Sequence, residues 1–125
     1  MRRDAGSAAA EFVMVAALLT VLTLGVLQLG VALLVRNTVL DAASEGARFG
    51  ALADNVPADG VARTRELIGT AIGADYARDV RVSAGAWRGS PAVTVTVRTT
   101  LPVIGLLGVG GALEVTGHAA RETLG

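Results

Sequence analysis

From Phe12 to Val35 the sequence reads FVMVAALLTVLTLGVLQLGVALLV, uncharged, with Thr20, Thr23 and Gln28 as its only polar interruptions. At about 1.5 Å per residue this run covers roughly 36 Å, enough to cross a bilayer with some tilt. The rest of the chain is too small to bury such a helix on all sides, so a membrane span is the expectation. No proline precedes Pro57, and one helix is expected from about Ala8 to Leu52. Past Arg36 the pattern changes. Ala42, Gly46 and Gly50 fall at i, i+4 and i+8, and Ala43, Ala47 and Ala51 widen the same face. Two glycines in a helix are costly, so this stripe points to close packing of a sheet or another helix.

Asp54-Asn55-Val56-Pro57-Ala58-Asp59-Gly60 has the composition of a turn that ends the long helix. Val61, Thr64, Ile68, Ile72 and Tyr76 then recur at helical spacing, with Asp59 as the expected N-cap and an end near Ala77. Three alternating stretches follow. Val80, Val82 and Ala84 form the first apolar phase, Val93, Val95 and Val97 the second, and Leu113, Val115 and Gly117 the third. Such period-two patterns predict strands with one buried face. Arg88-Gly89-Ser90-Pro91 is expected to connect the first two strands as a hairpin, and Leu101 to Ala112 to link the second and third. The expected architecture is α+β: a long N-terminal helix, membrane-spanning in its first half, a second short helix, and a small antiparallel three-stranded sheet.

Composition narrows the chemistry. The chain has 125 residues with eleven basic and eleven acidic side chains, and no cysteine. No basic stripe is present, so nucleic-acid binding has little electrostatic support. Without cysteine, disulfides and thiolate metal sites are excluded, and a single histidine, His118, stands on the polar phase of the last strand as an ordinary surface residue. Gly105-Leu106-Leu107-Gly108-Val109-Gly110-Gly111 lacks the lysine and hydroxyl of a phosphate loop, and Leu113 occupies the place of a third dinucleotide-loop glycine. It reads instead as an apolar loop, whose Val103, Ile104, Leu106 and Leu107 make a patch suited to a subunit or a membrane surface. Trp87 and Tyr76 read as core or rim packing. No carboxylate pair, activated serine or metal-ligand spacing stands out, so no enzyme, cofactor or metal is expected.

Orientation and processing turn on the N-terminus. Arg2 and Arg3 precede the span and Arg36 follows it, which favours an N-terminus in the cytoplasm. Asp4-Ala5-Gly6 after the arginine pair argues against a twin-arginine export signal. Gly30-Val31-Ala32 is a small-x-small triplet that suits signal-peptide cleavage, but the apolar run is longer than a usual signal and continues past it. Glu11 opens the apolar run. Its charge is costly towards hydrocarbon unless it is paired or stays at the interface. If the chain is cut between Gly6 and Ser7, the new amino group lies about 6 Å along the helix axis from Glu11. In parallel, axially staggered helices, the acid of one then meets the amine of the next, and two costly charges neutralise each other.

The order of basic leader, Gly6, then Ser7-Ala8-Ala9-Ala10-Glu11-Phe12 and a long apolar helix resembles a type IV prepilin, with a Glu-Phe pair similar to the type IVb (Flp, tight adherence or Tad) branch. Arg36-Asn37-Thr38-Val39-Leu40-Asp41-Ala42-Ala43-Ser44-Glu45-Gly46-Ala47-Arg48 resembles the segment after the helix in TadE-like proteins, and His118-Ala119-Ala120-Arg121-Glu122 is similar to the end of those chains. The resemblance implies a minor pilin (pseudopilin) with a pilin-like head. It implies a leader over 1–6, a transmembrane and assembly helix over 7–35, and an extracytoplasmic head over 36–125. Gly6 and Ser7 would then flank the cut made by a prepilin peptidase, Glu11 would neutralise a neighbour's amino terminus, and Phe12 would pack at the helix start. The implied partners are other pilin subunits, the peptidase, the pilus assembly machinery of the bacterial inner membrane, and lipid. Two other readings stay open: an uncleaved membrane-anchored binding module, and a small secreted domain cut near Ala32.

Overall fold

The computed structural model describes residues 2–52, 54–101 and 112–121, with residues 2–5 described by their backbone alone. A single helix, α1 (Arg2–Ala51), takes up 50 residues. It starts before the expected Ala8 because nothing between Arg2 and Ala8 stops a helix; Gly6 alone weakens it. At its far end the Asn55 side-chain amide donates to the Phe49 carbonyl at 2.7 Å, satisfying an acceptor that the helix leaves open.

The second helix, α2 (Pro57–Ala71), begins with Pro57 in its first turn, where a missing N–H costs nothing. The N-cap is Val56 rather than Asp59, which is a correction to the sequence expectation. Asp59 lies inside the first turn, and its carboxylate accepts the Val56 backbone N–H at 2.9 Å. The acid thus performs half of a capping box from the third helical position. The helix also stops earlier than the expected Ala77. Gly73 adopts φ of 114°, and the Ile72 and Gly73 N–H groups both donate to the Ile68 carbonyl. Tyr76 consequently sits in a separate 3-10 turn over Ala74–Ala77.

Three strands follow: β1 (Asp79–Trp87), β2 (Ser90–Thr100) and β3 (Ala112–Ala120), in the sheet order β1-β2-β3 with both pairs antiparallel. The α+β architecture read from the sequence is the one observed. Register brings the valines together: Val80 faces Val97, Val82 faces Val95, and Val97 faces Val115. The β1–β2 connection is shorter than the four residues expected. Only Arg88 and Gly89 form it, with φ of 53° and 78°, and Ser90 and Pro91 already belong to β2. A pair of left-handed residues matches the right-handed twist of the two strands, which is why glycine follows here.

Both helices cover the same face of the sheet, α1 over β3 and β2, α2 against α1 and β1. Val39, Ala43, Ala47, Ile68, Val93, Val95 and Val97 are completely buried between them. Ala84 shares the buried phase of Val80 and Val82 but is exposed, while Val93 opposite it on β2 is completely buried; Ala84 lies on the edge strand, outside the part of the sheet that α1 covers. On the outer face Trp87 stacks on His118 with ring centroids 4.8 Å apart, and the Arg88 guanidinium lies 4.6 Å from the indole centroid. His118 Nδ1 and Thr94 Oγ1 share a hydrogen bond of 3.0 Å. Val103, Ile104, Leu106, Leu107 and Glu122 lie outside the described residues.

Candidate functional site on the N-terminal helix

The two ends of α1 have opposite surroundings. Among the described residues from Gly6 to Leu34 none is buried: Phe12 is 74% exposed and Leu24 54%, and Ala16, Gln28 and Ala32 are half-buried. Val35 is the first buried residue along it. The stretch Gly6–Ala51 is apolar and long enough to cross a membrane, with a mean hydropathy of 2.4 in its most apolar window. Exposed large apolar side chains in an unbroken run are stable in hydrocarbon and not in water. The Thr20 hydroxyl is satisfied within the helix, donating to the Ala16 carbonyl at 2.8 Å.

Gly6 and Ser7 lie within the first turns of α1, exposed, and a Cβ added at Gly6 would meet nothing within 4 Å. Glu11 is exposed one turn further on, and no ion pair to it forms among the described residues. Phe12 projects beside it. These four residues share one open helical segment and are all exposed among the described residues.

Ala42, Gly46 and Gly50 are placed elsewhere, buried against α2. Here the backbones nearly touch. A Cβ on Gly46 would collide with the Thr64 hydroxyl and lie 2.7 Å from the Gly60 carbonyl oxygen, and one on Gly60 would lie 2.6 Å from the Gly46 carbonyl oxygen. Gly60, whose composition suggested a turn, is therefore a helical contact residue. On the other side of the stripe, a Cβ on Gly117 would lie 2.5 Å from the Ala43 carbonyl carbon. Alternation placed Gly117 on the buried face, but a lone glycine in a strand does not say which backbone approaches it. Among the described residues no group of three or more His, Asp or Glu side chains is placed to hold a metal.

An apolar helix that leaves its own domain, with a small two-layer α/β head built around its second half, is consistent with membrane association through that helix. Residues 6–48, about a third of the chain, match the family model of the TadE-like proteins, and over that segment the chain is similar to that family. The match starts at Gly6 and ends at Arg48, so it spans the open half of α1 and most of the small-residue stripe, and leaves the sheet outside it. No curated protein and no solved structure matches the chain.

Proposed function

We propose that the protein is a minor pilin (pseudopilin) of a type IVb, Flp or Tad pilus, cut after Gly6 by a prepilin peptidase and assembled through the open half of α1. The observation that carries this reading is the pairing of an uncovered apolar helix with a single acid at its mouth, Glu11, inside the family match. The chain is inserted in the bacterial inner membrane with its N-terminus in the cytoplasm and its head outside. After the cut, Ser7 supplies the amino terminus and Glu11, at the fifth mature position, receives the amine of a neighbouring subunit. Phe12 packs at the start of the helix bundle. The role is structural: the chain is a substrate of the peptidase and a building block supporting pilus assembly and adherence, with other pilins and the inner-membrane assembly machinery as partners.

Determining the amino terminus of the membrane-extracted protein tests the reading. A start at Ser7 supports the pilin, and an intact Met1 supports a plain membrane anchor. A start near Leu33 means secretion, and such a product retains the buried helix from Val35 onward. Glu11→Ala is expected to leave cleavage and insertion nearly intact while lowering incorporation into filaments. Normal incorporation of that variant would end the charge-pairing role.

A further inference from the structure

The level at which the head meets α1 has a consequence for the membrane surface. Val35 is both the last residue of the uncharged run and the first one buried by the head, and Arg36 follows immediately. No spacer separates span from head. Strand β3 runs in the direction of α1: Gly117 packs on Ala43 and Ser44, while His118 to Ala120 share a cavity with Arg48, Ala51 and Leu52. Counting back from that contact, Ala112 lies about 17 Å along the strand from Gly117. Val35 lies about 12 Å along the helix from Ala43. The start of β3 therefore reaches the level at which α1 leaves the apolar phase. Its partner Thr100 ends β2 at the same level, and Tyr76 and Arg78 line a cleft there with Thr99 and Leu101.

We propose that this rim of the head (Tyr76, Arg78, Thr100, Leu101 and Ala112) rests on the lipid headgroup surface as a second membrane contact beside α1; the inference rests on the membrane reading of that helix. Two features of the rim select lipid. It is continuous with the surface through which α1 passes. Tyr76 and the exposed Arg78 supply the amphipathic ring and the cation that favour the headgroup region, although Arg78 also pairs with Asp75 at 3.0 Å. Two attachment points fix the rotation of the head about α1, where a single helix leaves it free to swivel.

The test uses the full chain in vesicles of phosphatidylethanolamine and phosphatidylglycerol. Because the protein has no cysteine, Val26→Cys, Thr100→Cys, Ala112→Cys and Ala86→Cys each offer one site for an environment-sensitive fluorophore. Lipids bearing nitroxide at the headgroup or mid-chain serve as quenchers. Val26→Cys is expected to be quenched from mid-chain, Thr100→Cys and Ala112→Cys from the headgroup, and Ala86→Cys, on the β1–β2 hairpin, from neither. If Thr100→Cys and Ala112→Cys behave like Ala86→Cys while Val26→Cys is quenched, the rim contact is overturned and the spanning helix stands. Emission at the rim shifted to shorter wavelength without headgroup quenching assigns it to another protein surface and equally overturns the proposal. Loss of quenching at Val26→Cys brings down the membrane reading and the rim contact together.

Discussion

The two halves of α1 are one helix with opposite rules for side-chain size. Up to Leu34 the large apolar residues are exposed, as at Phe12, Leu18 and Leu29; past Val35 and Val39, the buried face is alanine and glycine. Lipid is a solvent that accommodates any apolar shape, so bulk there adds favourable transfer and meets no opponent. A protein neighbour has a fixed shape, so the upper half gains by removing bulk until backbones meet. Hydrophobicity alone does not separate the two; side-chain volume does.

That contrast is broken most severely at the glycines. Gly117→Val drives a branched side chain into the Ala43–Ser44 backbone, and Gly46→Leu does the same at Gly60. Each is expected to destabilise the head by about 3 kcal/mol or more, enough to abolish a cooperative near-ultraviolet circular dichroism transition of the detergent-solubilised full chain. Gly25→Leu, in the lower half where a Cβ meets nothing, is expected to leave that transition in place. Equal effects at Gly25 and Gly46 would show that the halves do not differ.

Truncation reads the same contrast from the other side. Ile68 is completely buried against the upper half of α1 and the sheet, and Ile68→Ala is expected to cost about 3 kcal/mol of head stability. Leu19 is 55% exposed, and Leu19→Ala is expected to leave head stability unchanged, with any loss appearing in membrane insertion instead. A fall in the head's melting temperature with Leu19→Ala would mean that the lower half also packs on the head.

Much of this was legible beforehand, and the exceptions share a cause. The apolar run, the absence of proline and the alternation of Val80/Val82, Val93/Val95/Val97 and Leu113/Val115/Gly117 are patterns internal to one element, and they predict that element correctly. Ala42, Gly46 and Gly50 announce that something comes close but carry no information about what. The identities of Gly60, Thr64 and Gly117 as the approaching partners belong to the tertiary arrangement. Ala84 obeys the strand alternation yet is exposed, since it lies on the edge strand while α1 covers its partner Val93 on β2. The misplaced boundaries of α2 are local: Asp59 works equally well as a cap or as the third-position acid of a capping box, and Pro57 at the first position decides between them. The stack of Trp87 on His118 joins two edge strands across β2, a register that neither strand specifies alone.

Asp59 also affects how firmly the upper half is covered, since it holds the first turn of α2 over Gly46 and Gly50. Asp59→Ala removes the acceptor for the Val56 N–H and is expected to cost about 1 kcal/mol. Asp59→Asn retains an oxygen acceptor and is expected to recover most of it. Hydrogen exchange at the Val56 amide gives a local readout: faster exchange in the alanine variant supports the cap, and unchanged exchange removes it.

The smallest effect comes from a matched pair of threonines. Thr20 in the lower half and Thr64 on α2 make the same bond, a hydroxyl donating to the carbonyl four residues earlier, at 2.8 Å to Ala16 and 2.7 Å to Gly60. Their surroundings differ. Thr64 is fully buried, and its hydroxyl also lies 3.5 Å from the Ala42 carbonyl across the glycine contact. Thr20 faces outward on the uncovered helix. Valine keeps the shape of threonine and removes only the hydroxyl, so the two substitutions isolate one group in two media. Thr64→Val is expected to cost the head about 1 kcal/mol, the net value of a buried hydrogen bond plus the fit of a methyl against Gly46. Thr20→Val is expected to leave the head's melting temperature where it is and to favour insertion slightly, because a hydroxyl satisfied by its own helix adds nothing that lipid would miss. If both variants lower the melting temperature alike, the bond strengthens the helix itself regardless of medium, and the contrast between the halves of α1 would then hold for side-chain volume but not for polarity.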